Sequence, residues 1–118
     1  MDIYKKFSFD SAHYLPNLPE DHKCKRMHGH TFNVEIHISG PIDEKIGWIM
    51  DFGDVKEVCD PVINQLDHIV LNEVPGLENP TSENLALWIW KKVHPKLPQL
   101  KKIIVSETCS TGCIYKGD

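Results

Sequence analysis

Apolar and polar residues alternate over residues 2–13, with Ile3, Phe7, Phe9 and His13 on one parity and Tyr4, Lys6, Ser8 and Asp10 on the other. A period of two lines each face of an extended strand with one of these rows, so this segment predicts a half-buried strand. Alternation resumes over residues 30–39, where Phe32, Val34, Ile36 and Ile38 share a face that includes His30 and is extended by His28. His37 falls on the opposite parity and reads as a surface residue. Between the two strands, Pro16, Asn17, Pro19, Glu20 and Asp21 interrupt the pattern and predict a loop over residues 14–27. Two strands joined this way form an antiparallel hairpin with a long connection.

Gly40-Pro41 ends the second strand, and residues 43–47 read as a turn. Helical spacing then takes over. Val55, Val58, Cys59, Val62 and Leu66 trace one apolar stripe behind Asp51 or Gly53 as cap, and Pro61 within it predicts a kink or two abutting segments. Thr81, Ser82 and Glu83 open a second helix with hydroxyl caps and an acid in its first turn. Its apolar arc runs through Leu85, Ala86, Trp88, Ile89, Trp90 and Val93, and Pro95 and Pro98 end it. A last strand spans residues 100–109, with Ile103 and Val105 on the parity that Glu107 continues, and a turn leads into a short strand at Ile114 and Tyr115.

A chain of 118 residues with 41% hydrophobic and 25% charged residues is an ordinary single globular domain, residues 1–118. The net charge of −4 argues against a general nucleic-acid binder. No apolar stretch is long enough to span a bilayer, and the N-terminal residues lack the apolar core of a secretory signal, which points to the cytoplasm. The four cysteines then read as thiols rather than a disulfide framework.

The chemistry concentrates in residues 24–30. His28 and His30 are two apart, which aims both imidazoles from one strand face, and Gly29 between them permits close approach. A catalytic zinc site takes three protein ligands and an open position. His13, closing the apolar face of the first strand, supplies the third ligand, while His22 in the loop ranks below it. Cys24 lies four residues before His28, flanked by Lys23, Lys25 and Arg26, and cationic neighbours favour a thiolate. Asp67-His68 reads either as a polar helix end or as a proton-transfer pair near Cys24. Glu107, extending a buried row, needs a partner: a buried cation, or a ligand with two adjacent N–H donors. Cys59 lies on the apolar stripe as inert core, and Cys109 and Cys113 lack further soft ligands for a metal site.

These residues resemble the 6-pyruvoyltetrahydropterin synthase family, and within it the short bacterial-type branch that makes 6-carboxytetrahydropterin in queuosine (7-deazapurine) biosynthesis. The likeness runs from end to end, through residues 9–13, 24–30, 48–52, 66–68, 71–72, 79–83 and 105–109, and the Cys-x3-His-Gly-His spacing favours that branch. It implies an α+β tunnelling fold (T-fold): an antiparallel four-stranded sheet with two helices packed on one face. Subunits would close edge to edge into a β-barrel, commonly a hexamer of two stacked trimers with active sites at subunit boundaries. Closure of that kind removes unpaired strand edges. It further implies zinc held by His13, His28 and His30, with Cys24, Asp67 and His68 as catalytic groups. Glu107 would anchor a pterin, near Thr108, Thr81 and Ser82, with Lys25 and Arg26 beside Lys23 as contacts for a triphosphate. The implied reaction is a zinc-dependent carbon–carbon lyase acting on 7,8-dihydroneopterin triphosphate, giving 6-carboxytetrahydropterin, acetaldehyde and triphosphate. No glycine-rich nucleotide fingerprint accompanies it, and the pterin is its own electron sink.

Three alternatives compete with that reading. A pyruvoyltetrahydropterin synthase would eliminate triphosphate and keep the carbon chain. A zinc hydrolase would use Glu107 or Glu83 as base and survive loss of Cys24. A structural zinc module would present four protein ligands.

Overall fold

A computed structural model describes residues 1–118. Its elements are β1 (Asp2–His13), β2 (His28–Ser39), α1 (Phe52–Asn64), α2 (Ser82–Val93), β3 (Leu100–Ser106) and β4 (Cys113–Tyr115), with short 3-10 turns at Lys23–Lys25, Leu71–Glu73 and His94–Lys96. The strands form one antiparallel sheet in the order β1-β2-β3-β4. β1 and β2 pair along their whole length, from Asp2 opposite Ser39 to His13 opposite His28. β3 covers only the Asn33 to Ile38 part of β2, with a register shift between His37 and Ile38. The far end of the β1–β2 hairpin therefore projects beyond β3, and the molecule is 58 Å long but 23 Å across.

The inward row of the sheet is the predicted one: Phe9, Phe32, Val34, Ile36, Ile38, Ile103 and Val105 are buried beneath the two helices. Helix α1 starts where Asp51 Oδ1 accepts from the Gly53 N–H at 2.8 Å, which satisfies one of the free donors of the first turn. It contributes Val55, Cys59, Val62 and Ile63 to the core, with Leu66 following. Pro61 does not divide it: one continuous helix carries the proline in its last turn. Only three helical residues follow Pro61, and two of these, Val62 and Ile63, are buried, which offsets the lost hydrogen bond.

His37 corrects a second expectation. It lies on the face away from the helices, as its parity requires, but it is buried rather than on the surface. Tyr4, directly opposite on β1, stacks on its ring at 5.2 Å, and Glu35 lies 3.1 Å from Nε2. Cross-strand aromatic pairing covers a position that alternation alone assigns to solvent. β3 also ends at Ser106, short of the expected boundary, so Glu107 stands just past the strand.

No helix is long and apolar enough to cross a membrane.

Candidate metal and pterin site

Three imidazoles meet at the projecting end of the hairpin. The β1–β2 register sets His13 opposite His28 and Ser11 opposite His30, which puts all three rings on the inward face. Ring centroids lie 4.6 Å apart for His13–His28, 5.2 Å for His13–His30 and 5.0 Å for His28–His30. One ligating nitrogen from each lies within 4.8 Å of the others, and no cysteine or carboxylate joins this set. Phe32 closes the site from below, edge-on to both His13 and His30, and stacks in turn on Phe9.

Tautomers are fixed from outside the trio. His13 Nδ1–H donates to the Pro80 carbonyl at 2.8 Å, and His28 Nδ1–H donates to the Arg26 carbonyl at 2.7 Å. A carbonyl only accepts, so each Nε2 is left with its lone pair toward the centre, and these two nitrogens are 3.1 Å apart. Zinc–nitrogen bonds of about 2.0–2.1 Å at tetrahedral angles separate two ligands by roughly 3.3 Å. Orientation of each ligating imidazole by a carbonyl is the usual outer-shell arrangement of such sites. Burial, opposed by the Pro80 carbonyl and by Glu107, holds the His13 pKa below its ordinary value, which favours the neutral form that binds metal. The donor set fits a divalent cation such as zinc, with a coordination position left for another group.

A cavity of about 500 Å3 reaches two of the three imidazoles and is lined by Lys23, Cys24, His28, Gly29, His30, Glu107 and Thr108. The loop that presents Cys24 is pinned where its carbonyl accepts from the Leu15 N–H at 2.9 Å. His22 does not join the trio; its Nδ1 accepts from the Cys24 N–H at 3.1 Å and caps the short 3-10 turn. Glu107 has no buried lysine or arginine as partner. Its Oε1 accepts from Ser82 Oγ at 2.9 Å, and its Oε2 stands 3.6 Å from His30 Nε2. It also lines a smaller cavity of about 270 Å3 with Leu15, Thr81, Ser82, Glu83, Thr111 and Gly112. Thr108 lies within hydrogen-bonding distance of Thr111, hydroxyl to hydroxyl, at 2.7 Å. Of the basic residues, Lys23 lines the larger cavity, whereas Lys25 is paired with Glu20 and neither it nor Arg26 lines a cavity.

Asp67 and His68 sit elsewhere, along the outer edge of β1. Asp67 Oδ1 accepts from the Asp10 N–H at 3.0 Å, and the His68 N–H donates to the Asp10 carbonyl at 2.6 Å. His68 adopts a left-handed φ of 56°, uncommon for a residue with a side chain, and its Nδ1 is 2.9 Å from Asp67 Oδ1. The imidazole is 76% exposed. Hydrogen bonding to Asp67 raises the His68 pKa, while the Asp10 N–H and then His68 lower that of Asp67. Neither residue lines the cavity of Cys24; a shallow cavity of about 430 Å3 beside Asp10 is lined by Ser11, Gly29, His30 and Thr31. Asp10, whose main chain anchors both Asp67 and His68, is a residue that parity alone passed over. The only signal was an acid on the strand face opposite the histidines.

Cys59 is inert, its pKa pushed up to about 12 by burial, and burial also raises that of Cys113.

A sequence model of the family described as 6-pyruvoyl tetrahydropterin synthase matches residues 2–118. The chain is 40% identical to 6-carboxy-5,6,7,8-tetrahydropterin synthase of Synechocystis, over 96% of this chain and 91% of that protein. It is 39% identical to a dihydroneopterin monophosphate aldolase of Pyrococcus furiosus, over 89% of this chain and 88% of that one. It is 33% identical to human 6-pyruvoyl tetrahydrobiopterin synthase, over 98% and 91%. Among solved structures, Caenorhabditis elegans 6-pyruvoyl tetrahydropterin synthase superposes with a TM-score of 0.92 at 25% identity, covering 100% of this chain and 96% of that chain. The sheet order and its two helices are thus those of the T-fold, and the chain belongs to the 6-pyruvoyl tetrahydropterin synthase family, as one of its enzymes.

Proposed function

We propose that this chain is a zinc-dependent lyase that converts 7,8-dihydroneopterin triphosphate and water into 6-carboxy-5,6,7,8-tetrahydropterin, acetaldehyde and triphosphate, a step toward 7-deazapurines such as queuosine. The observation that carries the reading is a single cavity faced by Cys24, by two of the three converging imidazoles and by Glu107. Likeness to the Synechocystis enzyme over nearly the whole chain supports the carboxy product.

Zinc held by His13, His28 and His30 would supply Lewis acidity toward the oxygens of the substrate side chain. Glu107 accepts from the 2-amino and N3–H edge of the pterin, a pairing that two carboxylate oxygens make in bidentate fashion. Thr81, Ser82 and Thr108 border this end of the pocket. Cys24, as thiolate, removes a proton from the side chain, and His68, oriented by Asp67, returns protons to its oxygens. Lys23, with Lys25 and Arg26 nearby in the loop, meets the triphosphate.

The separation of Asp67-His68 from the cavity of Cys24 supports a site completed across a subunit boundary. β1 and the short β4 are the two edges of the sheet, and closing them against copies of the chain gives a barrel, as a hexamer of two trimers. The three-nitrogen set favours catalysis over a structural zinc module.

Two related activities are separated by one experiment. Incubating the zinc-loaded protein with dihydroneopterin triphosphate and identifying products by mass yields acetaldehyde and the 6-carboxy product under this reading. A pyruvoyl synthase releases triphosphate without a small aldehyde, and an aldolase releases a two-carbon aldehyde that still carries the triphosphate. Either result overturns the proposal.

A further inference from the structure

The start of α2, together with the residues just before it, holds both halves of the site. Pro80, two residues before the helix, accepts from His13 Nδ1–H, and Ser82, its first residue, donates from Oγ to Glu107 Oε1 at 2.9 Å. We infer that Ser82 is a positioning residue for Glu107: it orients the carboxylate so that both oxygens address a ligand, and acts on the pterin through that carboxylate. This rests on the reading of Glu107 as the pterin anchor.

Four observations support it. Glu107 lies past the last residue of β3, so the strand ladder does not fix its direction. Its only hydrogen bond is the one from Ser82, and its other oxygen is turned toward His30 at 3.6 Å. Ser82 is not needed to start the helix, because Thr81 is the cap and its Oγ1 accepts from the Asn84 N–H at 3.1 Å. Finally, the N-terminus of a helix of twelve residues is a favourable place for a carboxylate, so the serine and the helix dipole hold the anion together. A hydroxyl that already donates to one carboxylate oxygen leaves further lone pairs on that oxygen free to accept from a ligand.

The test is a double-mutant cycle on the zinc-loaded full-length protein, with neopterin as fluorescent probe. Ser82→Ala is expected to raise the Kd for neopterin about tenfold, the scale of a lost hydrogen bond to a charged group. In the lyase assay the loss falls on KM rather than kcat, zinc content is that of the wild type, and Ser82→Thr restores binding. In a Glu107→Ala background, which removes the acceptor of the Ser82 hydroxyl, Ser82→Ala is expected to change the Kd less than twofold. An unchanged Kd in the single variant, or an equal loss in both backgrounds, overturns the inference; equal loss means that Ser82 touches the ligand itself. Wild-type affinity in Glu107→Ala alone removes the anchor reading and the inference with it, and that arm is read separately from the serine arms.

Discussion

His13 Nε2 and His28 Nε2 face each other across 3.1 Å, while the opposite nitrogen of each ring is tied to a main-chain carbonyl. Two lone pairs held at that separation repel unless a proton or a cation lies between them. We therefore expect the purified protein to contain one zinc per chain by elemental analysis. His13→Ala, His28→Ala and His30→Ala each lose it. Saturating metal at 100 times its Kd stabilises the fold by about 2.7 kcal/mol, so chelation lowers the Tm measurably. Full zinc occupancy in His13→Ala contradicts the trio.

Cys24 faces the same cavity as His28 and His30 without belonging to the ligand set. Cys24→Ala should keep zinc at wild-type content and lower acetaldehyde release by about 10²–10⁴, the range expected for a positioned acid or base. A hydrolase that uses Glu107 or Glu83 would keep its turnover in this variant.

How much of this was legible in sequence follows from range. Strand periodicity is local, so the parity of His13, His28 and His30 showed that they share a face, and register then brings His13 opposite His28. The carbonyl that orients His13 belongs to Pro80, 67 residues away, and no pattern announces a main-chain acceptor. Ser82 and Glu107 meet across 25 residues, from a helix start and a strand end that only packing brings together. His37 escaped because its cover, Tyr4, lies across the ladder. Asp67 and His68 were visible as a pair, but their attachment to Asp10 was not.

That attachment has a pH signature. The His68 pKa is raised by its hydrogen bond to Asp67, and the Asp67 pKa is lowered by the Asp10 N–H and by His68. The pair is therefore ionic over a window wider than that between an ordinary carboxylate and an ordinary imidazole. The raised histidine favours folding fully below its unfolded pKa, and this contribution is lost as pH rises through the folded value. The lowered aspartate favours folding above the ordinary carboxylate pKa, and this is lost as pH falls through its folded value. An NMR titration should place the His68 midpoint above 6.5 in the wild type and lower in Asp67→Asn. If His68 delivers protons in turnover, the alkaline limb of kcat/KM moves down with it. A midpoint unmoved by Asp67→Asn means that the exposed pair is too well solvated to couple.

Asn84 offers a test of the outer shell that touches no ligand. Its Nδ2 donates to the Asn79 carbonyl at 2.8 Å, bracing the turn whose next carbonyl, that of Pro80, orients His13. Asn84→Ala leaves the cap intact, since Thr81 bonds the main-chain N–H of residue 84 and not its side chain. Alanine is also a better helix former than asparagine, so α2 itself should not suffer. What is lost is the hold on Pro80, and with it the preference of His13 for the tautomer that points Nε2 at the metal. Outer-shell losses of this kind weaken metal binding by about 10–100-fold. Competition with a chelator of known affinity should show that loss, while the apo-protein Tm changes little. A fall in apo-protein stability with zinc affinity unchanged would mean that Asn84 merely braces the loop, and that Pro80 keeps its place without it.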